Sequence, residues 1–225
     1  MDEYDLIKES KKELESFYAR YFVSKDELDD FLSDAFDYTN GSLTRRQALF
    51  QVQWFVSLAN DIDQIRPRRD PLRVMFLNMG LDALRGLAGF KNKKVFYTNF
   101  CNCFSNEGRD YILNNFKLSN FEDEYKGLHF ETSHDIDLYD FFCIIKVARD
   151  RVVHDFNYWG MQFFAYDDES TWVSTMKTKE KLIKSYKYHR TENKETAYIF
   201  ETTLNYEKFI YYFTEACVRF INKYF

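Results

Sequence analysis

What most narrows the folds open to this chain is the ratio of bulky rings to turn-formers: 24 Phe, 17 Tyr and 3 Trp stand against 7 Gly and 2 Pro in 225 residues. Large rings must find a packed interior, whereas a chain with so few glycines and prolines has few places to reverse sharply. Helices joined by short connections meet both demands, and the length suits one cooperative domain with an elaboration. No stretch approaches the roughly 20 apolar residues of a membrane span, and the acidic start Met1-Asp2-Glu3 lacks the basic and apolar regions of a secretory signal. The expectation is a cytoplasmic protein with no membrane partner. Cys101, Cys103, Cys143 and Cys217 are too few and too irregularly placed for a disulfide framework, so reduced thiols are expected.

Apolar spacing and capping signals place the elements. Residues 4–22 read as an amphipathic helix, and Ser24 with Glu27 has capping-box spacing for a second helix to about Tyr38. Thr44 and Gln47 repeat that spacing ahead of a helix ending near Arg66, and Asp70-Pro71 reads as the capped start of a helix to about residue 88. Shorter helices are expected at 94–104 and 107–116. From Asp137 to about Trp159, the positions Phe141, Ile144, Ile145, Ala148, Val152, Phe156 and Trp159 recur at helical intervals. Between 161 and 204 the texture turns to β, with strands expected at Gln162–Tyr166, Thr171–Met176, Leu182–His189 and Thr196–Leu204. A last helix covers 206–224. The expected fold is mainly α: a single domain over 1–225 with an N-terminal helical extension at 1–40 and a helical bundle at 44–159 plus 206–224. A small antiparallel β element, 161–204, is inserted between the last two long helices.

The long helix also carries the segment Arg149-Asp150-Arg151-Val152-Val153-His154, led in by the apolar run from Phe141 to Ala148. An arginine, four to six intervening residues and a histidine, with a polar residue directly after the arginine, resembles the signature of the HEPN superfamily of helical-bundle ribonucleases and their inactive relatives. The match covers under a tenth of the chain. The resemblance implies a HEPN-like bundle and metal-independent cleavage of RNA, with no cofactor, in a homodimer whose two motifs face one another across a shared cleft. It also implies a toxin or phage-defence role, with an antitoxin protein as a possible partner. Some family members carry a modifiable tyrosine two residues after the histidine; here that position is Phe156.

The chemistry fits these residue types. An imidazole titrates near neutrality and can take the proton of a 2′-hydroxyl or deliver one to the leaving 5′-oxygen, while a guanidinium offsets charge developing on phosphate. Arg149 is the candidate phosphate clamp and His154 the proton carrier. Asp150, four residues before His154, could orient the imidazole. Five residues along a helix turn through about 140°, so Arg149 and His154 diverge on one straight helix, a difficulty that pairing of two copies would answer.

A net charge of −5 argues against a general polyanion binder, yet the charge is uneven. Acidic residues dominate 1–37, whereas Lys177, Lys179, Lys181, Lys184, Lys187 and Arg190 form a basic strip interleaved with Tyr186 and Tyr188. With Arg151, that strip is the candidate RNA-binding surface, since cations meet phosphate and rings stack on bases. The turn Arg66-Pro67-Arg68-Arg69 could likewise touch phosphate. Cys101, Cys103, His129 and His134 are zinc-competent but lack ligand spacing, so no metal is expected. Motifs for nucleotide hydrolysis, serine esterases and zinc proteases are missing from the sequence. The alternative to a nuclease is a non-catalytic helical module that binds RNA or protein through the same surfaces.

Overall fold

A computed structural model describes residues 3–37, 42–118, 130–132, 136–155, 161–164, 172–177, 186–188 and 197–225. The chain is mainly helical. In order run α1 (Glu3–Tyr18), a 3-10 turn (Ala19–Tyr21), α2 (Lys25–Phe36), α3 (Leu43–Ile65), α4 (Asp70–Leu87), α5 (Lys93–Cys101) and α6 (Asn106–Asn114). Two short strands, β1 (Phe116–Leu118) and β2 (Phe130–Thr132), precede α7 (Leu138–Asp155); β3 (Trp172–Lys177), β4 (Tyr186–Tyr188) and β5 (Ala197–Thr202) lie between α7 and α8 (Tyr206–Tyr224).

Side-chain caps set most helix starts. Ser24 accepts the Glu27 N–H, Asn92 those of Lys94 and Val95, Ser105 that of Gly108 and Asn205 that of Lys208. Two starts differ from the sequence expectation. α3 is capped by Ser42, which accepts the Arg45 N–H, in place of Thr44. That phase puts Arg45 in the first turn, where its buried guanidinium donates to Phe31 O and Asn222 Oδ1 at 2.8 Å and joins α2, α3 and α8. Asp70 is the first residue of α4 and caps nothing; its carboxylate instead accepts the Phe163 N–H at 2.7 Å and an Arg73 N–H at 2.8 Å. A buried backbone donor without an acceptor is costly, and Asp70 supplies that acceptor.

The core is a continuous cluster of buried side chains from Leu14 to Ile221, with phenylalanines at its centre. Phe142 meets Phe100 at 5.4 Å between ring centroids, Phe104 at 5.6 Å and Phe141 at 5.4 Å, while Phe100 also meets Phe213 at 5.8 Å. Edge-on and tilted packing of this kind lets rings from α5, α7 and α8 interlock. Helices α1 and α2 join the same core: Tyr18 is fully buried and its hydroxyl donates to Leu49 O of α3 at 2.8 Å. α7 packs on α4, where Arg149 meets Asp82, and the Phe163 N–H reaches Asp70 at the start of α4.

The strands draw on both sides of α7, unlike the expected insertion confined to 161–204. β5 is central to an antiparallel sheet of order β1-β5-β3, pairing Phe116 and Trp172 with Thr202, and β2 pairs with β4, Phe130 opposite Tyr188. The strand expected at Gln162–Tyr166 is, over 161–164, a single bridge from Phe164 to Asn205, since Asp70 takes the Phe163 N–H that a ladder would use. Residues 165 and 166, like much of the expected strand at 182–189, lie outside the described residues. Among the described residues no helix is long and apolar enough to cross a membrane.

Candidate functional site on the α4 and α7 face

Helix α7 starts with a reciprocal pair: Asp137 Oδ1 accepts the Asp140 N–H at 2.8 Å, and Asp140 Oδ2 accepts the Asp137 N–H at 3.4 Å. From there Phe141, Ile144, Ile145, Ala148 and Val152 face the core, which turns Lys146, Arg149 and Asp150 to the half-buried flank and Val153 and His154 to solvent. Phe156 and Trp159, expected to extend the stripe, lie outside the described residues.

The flank is an ion-pair network across two helices. Arg149 Nη2 donates to Asp82 Oδ2 of α4 at 2.8 Å and Nη1 to Asp150 Oδ1 at 2.6 Å; Lys146 Nζ donates to the other Asp150 oxygen at 2.7 Å. Arg85 Nε lies 3.5 Å from Asp82 Oδ1. The pairs are only partly screened by water, with 20% of the Arg149 side chain, 27% of Asp82 and 33% of Asp150 exposed. Burial raises the Asp150 pKa, but hydrogen bonds from Lys146 and Arg149 outweigh it and leave the carboxyl below its ordinary value. Tyr97 of α5 borders the network; burial, reinforced by Asp82 and opposed by Arg149, keeps its phenol protonated far above neutrality.

Comparison of the chain with protein-family models, curated proteins and solved structures finds no match.

The site therefore stands on its geometry. Arg149 and Asp150 are in contact, but His154 is hydrogen-bonded to neither: both Asp150 oxygens are taken by Lys146 and Arg149, and the imidazole has no hydrogen-bond partner among the described residues. The 140° divergence is realised, with Arg149 drawn toward α4 and His154 exposed one turn further on. Of the basic strip, Arg151 lies in α7, Lys177 ends β3 opposite Ala197, and Lys187 sits in β4 opposite Glu131. Lys179, Lys181, Lys184 and Arg190 lie outside the described residues, as do His129 and His134.

Three members of the network, Lys146, Asp82 and Arg85, escaped sequence reasoning. Lys146 was legible, since it precedes Asp150 by the four residues of a helical ion pair. Asp82 was not, because it is 67 residues from Arg149 and only the packing of α4 on α7 joins them. Among the described residues no three His, Cys, Asp or Glu side chains converge as a metal site. Cys101, Cys103 and Cys217 are buried free thiols, and burial pushes the half-buried Cys143 thiol up, away from the reactive thiolate.

Proposed function

We propose that the chain is a HEPN-like, metal-independent endoribonuclease of the cytoplasm, with Arg149 as phosphate ligand, His154 as proton carrier and Asp82 and Asp150 as positioning residues. The observation that carries this reading is the two-sided carboxylate grip on a partly exposed arginine, beside an exposed histidine on the same helix that has no hydrogen-bond partner among the described residues. A guanidinium has five N–H donors; two are committed to the carboxylates, leaving others free for a phosphate oxygen. Lys146 and Arg85 keep the cluster cationic, three positive groups against two negative. In cleavage, an imidazole takes the 2′-hydroxyl proton, the 2′-oxygen attacks phosphorus and the 5′-oxygen departs with a proton from a second imidazole. The products are a 2′,3′-cyclic phosphate and a 5′-hydroxyl. Two imidazoles call for two copies of the chain, so this reading includes a homodimer, with the β segments as an appendage to the bundle. A toxin or phage-defence role, with a cognate antitoxin, follows from the resemblance alone.

One observation favours the alternative, a non-catalytic helical module that binds RNA or protein: Asp82 and Asp150 together offset the charge of Arg149. Incubating wild-type, Arg149→Ala and His154→Ala proteins with mixed RNA in EDTA separates the two. Wild-type cleavage leaving 2′,3′-cyclic phosphate ends, lost by at least about a hundredfold in either folded variant, supports the nuclease. Absent or equal cleavage by all three leaves the binding module.

A further inference from the structure

A cleft of about 860 Å³ opens at the start of α4, some 18 Å along that helix from Asp82. Its walls are braced by directed bonds. Arg73 donates from Nη1 to Asp70 Oδ1 at 2.8 Å, places Nη2 3.3 Å from Asp63 Oδ1 and holds its guanidinium carbon 4.1 Å from the Tyr206 ring centroid. The Tyr206 hydroxyl donates to Asn60 Oδ1 at 2.9 Å, and Asp70 holds the Phe163 N–H. These contacts tie α3, α4, residues 161–164 and α8 into one frame before any ligand arrives, which lowers the ordering cost of binding.

The same contacts engage Asp63 and Asp70 with Arg73 and leave two other arginines on the lining unmatched. Arg20 and Arg68 are exposed, and neither has a carboxylate partner for its guanidinium among the described residues. The Arg20 guanidinium carbon sits 5.4 Å from the Tyr21 ring centroid and 5.7 Å from that of Tyr211, contacts that position it without cancelling its charge. Arg68 has φ of 60°, a left-handed backbone that L-residues other than Asn and Asp rarely adopt, and its N–H donates to Asp63 Oδ1 at 3.3 Å. Strain kept at a cleft mouth points to use of the side chain it displays. Glu207 is the remaining acid on the lining, and α4 opens onto the cleft without a side-chain cap.

The formal charges of the lining cancel, Arg20, Arg68 and Arg73 against Asp63, Asp70 and Glu207, but Arg73 engages two of the three acids. The cations open to a ligand are Arg20 and Arg68, which suit an anionic group, and the volume suits a ligand of mononucleotide size. We infer that this cleft binds a phosphorylated small molecule, its phosphate seated between the guanidinium groups of Arg20 and Arg68. The amides of Gln64 and Gln162 offer neutral donors and acceptors to the rest of the ligand. The inference is independent of the ribonuclease reading.

Phosphate could come free, on a nucleoside monophosphate or on the end of an RNA strand. Calorimetric titration of the full chain with inorganic phosphate, adenosine monophosphate and a 5′-phosphorylated single-stranded RNA distinguishes the three. The expected result is saturable one-site binding of the mononucleotide, competed by inorganic phosphate. It should be weakened about tenfold or more by Arg20→Ala and by Arg68→Ala, as loss of a charge-assisted hydrogen bond requires, and unchanged by His154→Ala. Arg68→Gly should also lose affinity while holding or raising the unfolding midpoint, since glycine accepts the positive φ; weaker binding in that variant is then not a folding defect. Absence of saturable binding to either small probe, undiminished affinity in both arginine variants, or binding of the RNA alone would overturn the assignment.

Discussion

Asp70 is a buried carboxylate and Asp150 a partly exposed one, and their pKa values move in opposite directions. At Asp150 the hydrogen bonds from Lys146 and Arg149 overcome burial and lower the value below the ordinary 3.8; at Asp70 burial wins over the Phe163 N–H and Arg73 and raises it. A carboxyl with a depressed folded pKa contributes stability that is present above the unfolded value and lost as pH falls through the folded one. Asp70 has the reverse sign, so its contribution fades as pH rises through its elevated folded value. Asp150→Asn should therefore cost about 1 kcal/mol near neutral pH, as a partly exposed ion pair does. The difference from wild type should shrink as pH falls through the depressed folded pKa of Asp150. Urea unfolding at pH 7 and pH 2.5 measures both; a difference that persists undiminished in acid means the Asp150 carboxylate is not the origin. The residue types of the site were legible, because Arg149, Asp150 and His154 are adjacent in sequence. The partner of Arg149 was not, because periodicity along one helix says nothing of which side chain a second helix presents.

At the scale of elements, most helices follow from capping residues and apolar spacing, and the exceptions have tertiary causes. Thr44 with Gln47 is the better capping box by composition, yet Ser42 caps α3, because the earlier start brings Arg45 to Phe31 O and Asn222. Ser42→Ala should thus destabilise the protein by about 1 kcal/mol, and Thr44→Ala by less than about half that. Thermal unfolding of the two variants side by side checks it, and equal losses would return the cap to Thr44. The segment at 161–164 has strand-like composition, but its Phe163 N–H goes to a helix carboxylate. β propensity describes fit to a pleated surface and is overruled where another acceptor is nearer.

For the whole molecule, among the described residues, rings from α5, α7 and α8 interlock in a centre at Phe142 and Phe100. Phe142 is fully buried against five neighbouring rings, so Phe142→Ala should cost about 3–5 kcal/mol. The loss should appear as one cooperative transition by both far-ultraviolet circular dichroism and ring fluorescence, since the same cluster includes α1 through α8. Two separated transitions would instead mark α1 and α2 as an independent unit. The sequence by itself determined the mainly helical class, the approximate helix limits and the residue types on the exposed flank of α7, because capping and 3.6-residue periodicity are local properties of the chain. Tertiary structure alone decided that Asp82 grips Arg149, that strands from both sides of α7 share a sheet, and that Arg20, Arg68 and Arg73 line one cleft. Each of these joins residues far apart in the chain, and only the packing of helices and the demands of buried polar groups bring them together.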